Sequence, residues 1–145
     1  MSVLAETKHL LSVVAGSLRP VQIDVRVAIP EDLVVTTRKR EIILVLLNLI
    51  QNAAQTIAER RQTDGKILVA GAASAGESIL EVSDWAGGIP ADVAQRIFES
   101  GYTTGDGTGL GLYLSRRLVE SNGGVLELVP LEGGSCFRLR LPDKK

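Results

Sequence analysis

Leu46-Leu47-Asn48-Leu49-Ile50-Gln51-Asn52-Ala53-Ala54 is the stretch on which the fold turns. It sits inside a longer run, from about Thr37 to Arg61, that keeps a helical period. Ile43, Leu46, Leu47, Ile50, Ala54 and Ile57 form a broad apolar face, as a helix lying on a core requires. Asn48 and Asn52 are four apart, so their amides stack on one side, and Gln55 and Glu59 extend the stripe. An amide carbonyl among leucines is costly unless something satisfies it. A hard cation such as Mg²⁺ takes oxygen donors and commonly bridges one or two of them to phosphates. An amide pair bonded to a neighbouring element fits the same residues.

Upstream, residues 3–18 have helical spacing with Leu4, Leu11, Val14 and Leu18 on one side, closed by Pro20. Val21 to Ile29 alternates as a half-buried strand and ends at Pro30. Downstream come the turn Asp64-Gly65, a strand from Lys66 to Ala73, and another from Ser78 to Ser83. Pro90 and Asp92 open a short helix reaching about Phe98. Thr108 to Ser121 spans a further helix, stopped by Asn122-Gly123-Gly124. Val125–Val129 and Cys136–Leu141 close the chain as a hairpin around Glu132-Gly133-Gly134. This order predicts one α/β (α+β) domain over residues 1–145, with residues 1–20 as a lead-in helix. The architecture is a two-layer sandwich, a mixed sheet of about five strands covered on one face by about three helices.

Composition narrows the function. The 145 residues are 45% hydrophobic and 23% charged, enough for a real core, with aromatics at only 3%. That core is therefore aliphatic. Sixteen basic against 17 acidic residues, scattered in short pairs, give no stripe for nucleic acid. The single cysteine, Cys136, excludes an internal disulfide and a multi-cysteine metal site, and its place in an alternating run marks a small core residue. The N-terminus lacks a signal-peptide pattern, and the apolar run Ile42–Leu47 stops at Asn48, short of a membrane span. A reducing cytoplasm suits such a chain, with no membrane contact by the domain itself, whether or not a parent protein is anchored.

Two further constellations carry chemistry. In Glu81-Val82-Ser83-Asp84-Trp85-Ala86-Gly87-Gly88-Ile89-Pro90, an apolar strand delivers a carboxylate into a small-residue turn. A carboxylate there can accept a hydrogen bond from an exocyclic amine while a flat ring approaches the backbone. Ordinary Asp–Gly turn chemistry reads the same. In Thr103-Thr104-Gly105-Asp106-Gly107-Thr108-Gly109-Leu110-Gly111-Leu112, glycines alternate where a helix begins, which can aim N–H groups at phosphate oxygens. It has neither the Lys-Ser/Thr of a P-loop nor the dinucleotide spacing. Gly101 to Gly107 has the composition of a lid, and equally of a plain loop.

Taken in order, these segments resemble the sensor histidine kinases. Asn48 to Ala53 is similar to their N box, Asp84 to Ile89 to the first glycine box, Ile97-Phe98-Glu99 to the F box, and Gly107 to Leu112 to the second glycine box. The resemblance covers about Thr37 to Leu141 and extends to the ATPase superfamily shared with gyrase, MutL proteins and a heat-shock chaperone. The hydrolysing members carry a Glu four residues before the metal-binding Asn. Here that place is Asn48, which resembles the kinases, whose γ-phosphate goes to a histidine and not to water.

The resemblance implies ATP and Mg²⁺ as ligands. Asn52 would hold the metal, with Asn48 beside it as the second catalytic residue. Asp84 would read adenine, and Gly88 and Ile89 would shape the ring pocket. Thr104, Gly107, Thr108, Gly109, Leu110 and Gly111 would hold the phosphates. The implied partners are a histidine-containing dimerisation or phosphotransfer domain and, downstream, a response regulator. His9 does not match the phosphoacceptor box, since Leu10-Leu11-Ser12-Val13 follow it. The nucleophile is thus expected from another domain, with this chain a fragment of a larger sensor or acting in trans. Three residues depart from the pattern: Ala86 at the first glycine's place, Gly105 where a Lys often stands, and Gln55 where some members carry a Lys. Ala86 and the bare lid motivate a second reading, a degenerate nucleotide-binding or docking module without kinase output.

Overall fold

The computed structural model describes residues 2–18, 23–33, 35, 39–59, 65–99 and 111–142. In chain order these form α1 (Val3–Leu18), β1 (Ile23–Ala28), α2 (Lys39–Glu59), β2 (Gly65–Ser74), β3 (Glu77–Asp84), α3 (Ala91–Ala94), α4 (Gly111–Ser121), β4 (Val125–Leu131) and β5 (Gly134–Pro142). The five strands make one sheet in the order β1-β2-β3-β5-β4. β1 and β2 run parallel, which requires a crossover, and α2 supplies it. The remaining neighbours are antiparallel, so the sheet is mixed, as the element order predicts.

Parity along the strands decides where the core lies. Ile67 and Val69 of β2, Leu80 and Val82 of β3, Leu126 of β4, and Phe137, Leu139 and Leu141 of β5 share one face by register and are buried. α2 covers that face with Ile42, Val45, Leu46, Leu49, Ile50, Ala53 and Ile57, all buried. The centre of its stripe is therefore one residue off the expected one: Ile43, Leu47 and Ala54 are only partly buried at its flank. By length and composition α2 could cross a membrane. Its apolar side is instead spent on the sheet. The opposite face of the sheet carries an ion-pair ladder, with Arg138 to Glu81 at 2.8 Å and Arg140 to Glu77 at 2.9 Å and to Glu127 at 3.1 Å.

Several sequence expectations shift. Cys136 is buried, but it lies on the ladder face with its thiol 3.6 Å from Glu81 Oε2, outside the apolar core cluster. Strand parity makes this inevitable, because its neighbour Phe137 takes the core side. Burial pushes the thiol above its ordinary range, reinforced by the Glu81 carboxylate and opposed by Ser83 and Arg138. The helix expected to reach Phe98 ends at Ala94 and continues as turns. Gly65 begins β2 and is not a turn residue; a Cβ there would meet Ile57 Cγ2 at 2.5 Å, which shows how closely α2 lies on this strand. On α1 the buried stripe runs through Val3, Thr7 and Leu10, with Leu4 and Leu11 at its edge. Thr7 Oγ1 is buried with no hydrogen-bond partner among the described residues. His9 is exposed.

Candidate functional site

Asp84 is the last residue of β3 and belongs to its core-facing parity, so the strand carries a carboxylate to the sheet's rim. It is 4% exposed. A buried carboxylate needs hydrogen bonds, and the chain provides them locally and across the sheet. Ala86 N–H donates to Oδ1 at 3.1 Å, and Ser135 Oγ donates to Oδ2 at 3.3 Å. Register pairs Asp84 with Ser135 directly. Both contacts fix the carboxylate's orientation.

The turn after Asp84 is held against the β4–β5 hairpin. Gly87 N–H donates to Gly133 O at 2.9 Å. Gly87 and Gly88 have φ of 98° and 78°, a region that side chains resist. A Cβ on Gly134 would stand 2.1 Å from Asp84 O and 2.9 Å from Trp85 Cα, so two backbones touch here with no room between them. Ala86, the departure from the glycine pattern, is 1% exposed and packs into the core. Trp85 is exposed, and Ile89 is partly buried against the core.

A second group forms where α4 meets α2. The helices pack antiparallel: Asn122 Nδ2, just past the end of α4, donates to Glu41 Oε1 near the start of α2 at 3.0 Å. At the other end Asn48 Nδ2 donates to Ser115 Oγ at 3.0 Å, and a Cβ on Gly111 would lie 2.6 Å from Asn48 Oδ1. Of the two readings of the amide pair, Asn48 is bonded to a neighbouring helix. Asn52 is part-buried one turn further on, and Thr56 Oγ1 donates to its backbone carbonyl at 2.9 Å. Gln55 Nε2 donates to Glu59 Oε1 at 3.1 Å, so the stripe's outer members pair with each other.

Both groups lie toward one end of the sandwich. Ile57 of α2 abuts Gly65 at the start of β2, and Asp84 pairs with Ile67 two residues along that strand. The C-terminal half of α2, the N-terminus of α4 and the C-terminal end of β3 thus share a rim. Phe98 links it to α4: its ring meets Phe137 edge-on at 6.1 Å and lies under the Arg116 guanidinium at 4.8 Å. Thr104, Gly107, Thr108, Gly109 and Leu110 lie outside the described residues; Gly111 is the one member of the second glycine box expected at the phosphates that is described.

Sequence reading missed Ser135, Ser115 and Gly134. Ser135 had a usable signal, since it alternates with Phe137, Leu139 and Leu141 and so shares their face. Its partner follows only from the β3–β5 pairing.

The chain matches the model of the histidine kinase-, DNA gyrase B- and HSP90-like ATPases over residues 37–145. It is 41% identical over 100 residues to the sensor histidine kinase ZraS of Escherichia coli O157:H7, covering 68% of this chain and 21% of that protein. It is 32% identical over 145 residues to the sensor protein FixL of Bradyrhizobium diazoefficiens, covering 98% of this chain and 28% of that one. The chain therefore spans about a quarter of these relatives' length. Among solved structures, the catalytic domain of histidine kinase ThkA superposes with a TM-score of 0.86 at 28% identity, covering 98% of this chain and 93% of that one. Full-length ShkA in complex with AMPPNP shares the fold, with a TM-score of 0.82 at 24% identity, covering 98% of this chain and 30% of that one.

Proposed function

The chain belongs to the histidine kinase-, DNA gyrase B- and HSP90-like ATPase family, and we propose that it is the Mg·ATP-binding catalytic domain of a two-component sensor histidine kinase. The observation that carries this reading is the Asp84 clamp. A carboxylate fixed by Ala86 N–H and Ser135 Oγ is an oriented acceptor for the adenine amine, and the glycine turn beside it suits a flat ring. ShkA, which shares the fold, is described with AMPPNP.

In this reading the phosphates lie toward the start of α4, since the N-terminal end of a helix favours anions. Gly111 lets the Asn48 amide lie close against α4, and Thr104, Gly107, Thr108, Gly109 and Leu110 would complete the cradle. Asn52 would ligate the metal through its amide oxygen, an oxygen donor of the kind Mg²⁺ takes. When bound, the ion neutralises charge on the transferring phosphoryl group. The chain's own task is positioning, since a loose phosphoryl transition state needs little covalent help. An acceptor imidazole nitrogen bonds to the γ-phosphorus, the bond to the ADP oxygen breaks, and the imidazole gives up its proton. Asn48, a neutral amide held by Ser115, offers no base to activate water. The imidazole would come from a dimerisation or phosphotransfer domain, and a response regulator would take the phosphoryl group onward.

Titration of the chain with a non-hydrolysable ATP analogue, with and without Mg²⁺, tests this. The expected result is Mg²⁺-dependent binding that Asp84→Asn and Asn52→Ala each abolish or weaken. Absence of binding at millimolar nucleotide would refute it in favour of a docking module.

A further inference from the structure

Ala86 is the residue of the Asp84 turn that departs from the glycine pattern, and its methyl group has two possible effects. Aimed at a ring pocket it would crowd the base; turned into the fold it would tie down the turn. It is turned in. Ala86 is 1% exposed and belongs to the apolar core cluster, whereas its neighbour Trp85 is exposed. A methyl lining a cleft faces open space, and this one does not. What it ties down is a donor. The Ala86 N–H donates to Asp84 Oδ1 at 3.1 Å, so the residue anchored in the core is also one that orients the carboxylate. Gly87 and Gly88 follow, with φ of 98° and 78°, and Gly87 N–H is fixed to Gly133 O at 2.9 Å. Among residues 86–88, Ala86 alone has a Cβ. A glycine in its place would put three in a row, each with more backbone freedom than any other residue. An acceptor oriented before its ligand arrives costs less to order on binding.

We propose that Ala86 is a positioning residue: its buried methyl holds the N–H that aims the Asp84 carboxylate at the adenine amine, so that alanine here strengthens and sharpens ATP recognition. The inference rests on the nucleotide reading above. It reverses the bearing of the departure, which counts for nucleotide binding and not against it. Ala86 touches no substrate in this scheme; it acts through Asp84.

The test is Ala86→Gly, which restores the glycine pattern. Calorimetry with Mg²⁺ compares ATP with inosine triphosphate, whose ring has a carbonyl in place of the amine. The Asp84 acceptor serves the first nucleotide only. The expected result is ATP binding about three- to fivefold weaker, the scale of one glycine's added backbone freedom. Inosine triphosphate binding should stay unchanged, so the preference for ATP falls by the same factor. Tighter ATP binding would reveal a methyl that crowds the ring and would overturn the proposal. An unchanged affinity, or an equal loss for both nucleotides, would overturn it too, leaving Ala86 a packing residue. A readout on the wild-type chain covers the case of an unfolded variant. Without nucleotide, the Ala86 amide proton is expected to exchange slowly with solvent by NMR, and rapid exchange would also overturn the proposal. A wild-type chain that binds no ATP sinks the nucleotide reading and this inference together, whereas Mg²⁺-dependent ATP binding with an unaltered preference in Ala86→Gly sinks this inference only.

Discussion

Replacing Asp84 by Asn is the sharpest perturbation the structure offers, because it separates recognition from folding. The carboxylate accepts from Ala86 N–H at 3.1 Å and from Ser135 Oγ at 3.3 Å. An asparagine in the same rotamer keeps its oxygen for Ala86, and its NH₂ can donate to the serine, whose hydroxyl accepts as readily as it donates. Folding should therefore change by no more than about 1 kcal/mol. Adenine recognition should suffer far more. The exocyclic amine loses a charged acceptor, worth about 2–3 kcal/mol or roughly 30- to 150-fold in Kd. Inosine triphosphate inverts the logic, since it presents a carbonyl where adenine has its amine. Wild type should prefer ATP strongly, and Asp84→Asn should lose that preference because its NH₂ matches the inosine oxygen. Calorimetry with both nucleotides, alongside urea melts of both proteins, measures every term. A folded Asp84→Asn that binds ATP within a factor of a few of wild type, still ahead of inosine triphosphate, would refute the assignment of Asp84.

Three other outcomes follow from the same geometry. Gly134→Ala should cost about 3 kcal/mol or more in urea unfolding, since its Cβ would collide with the Asp84 carbonyl and not with a side chain that can move. The Cys136 thiol has its pKa raised in the fold, chiefly by burial, so it binds its proton more tightly folded than unfolded. Its contribution is then complete below about pH 8.5, where a free thiol begins to ionise, and is lost as pH rises toward the folded value. The gap in urea midpoint between wild type and Cys136→Ala should shift against wild type from pH 7 to pH 10; a constant gap would contradict it. Finally, the chain with Mg·ATP alone should release phosphate very slowly, because Asn48 supplies no general base. Brisk release in a coupled phosphate assay would show that another residue activates water.

Most of the fold was legible in the sequence because it is written in local periodicity. The long helix α2 (Lys39–Glu59), the alternation of β1 and β5, and the turn glycines at 76, 123 and 133 all follow from spacing and backbone conformation. The chemistry-bearing residues Asn48, Asn52 and Asp84 were legible too, since a polar group interrupting an apolar pattern is conspicuous by itself. What periodicity could not supply was partnership. Asp84 meets Ser135 only because β5 inserts between β3 and β4 in a register set by the packed face. Asn48 meets Ser115, 67 residues away, only because α4 lies antiparallel on α2. Cys136 looked apolar in sequence, and its side of the sheet was settled by Phe137 claiming the core. A side chain's chemistry is its own, but whether it is free, paired or turned away depends on neighbours that the chain brings together only when it folds.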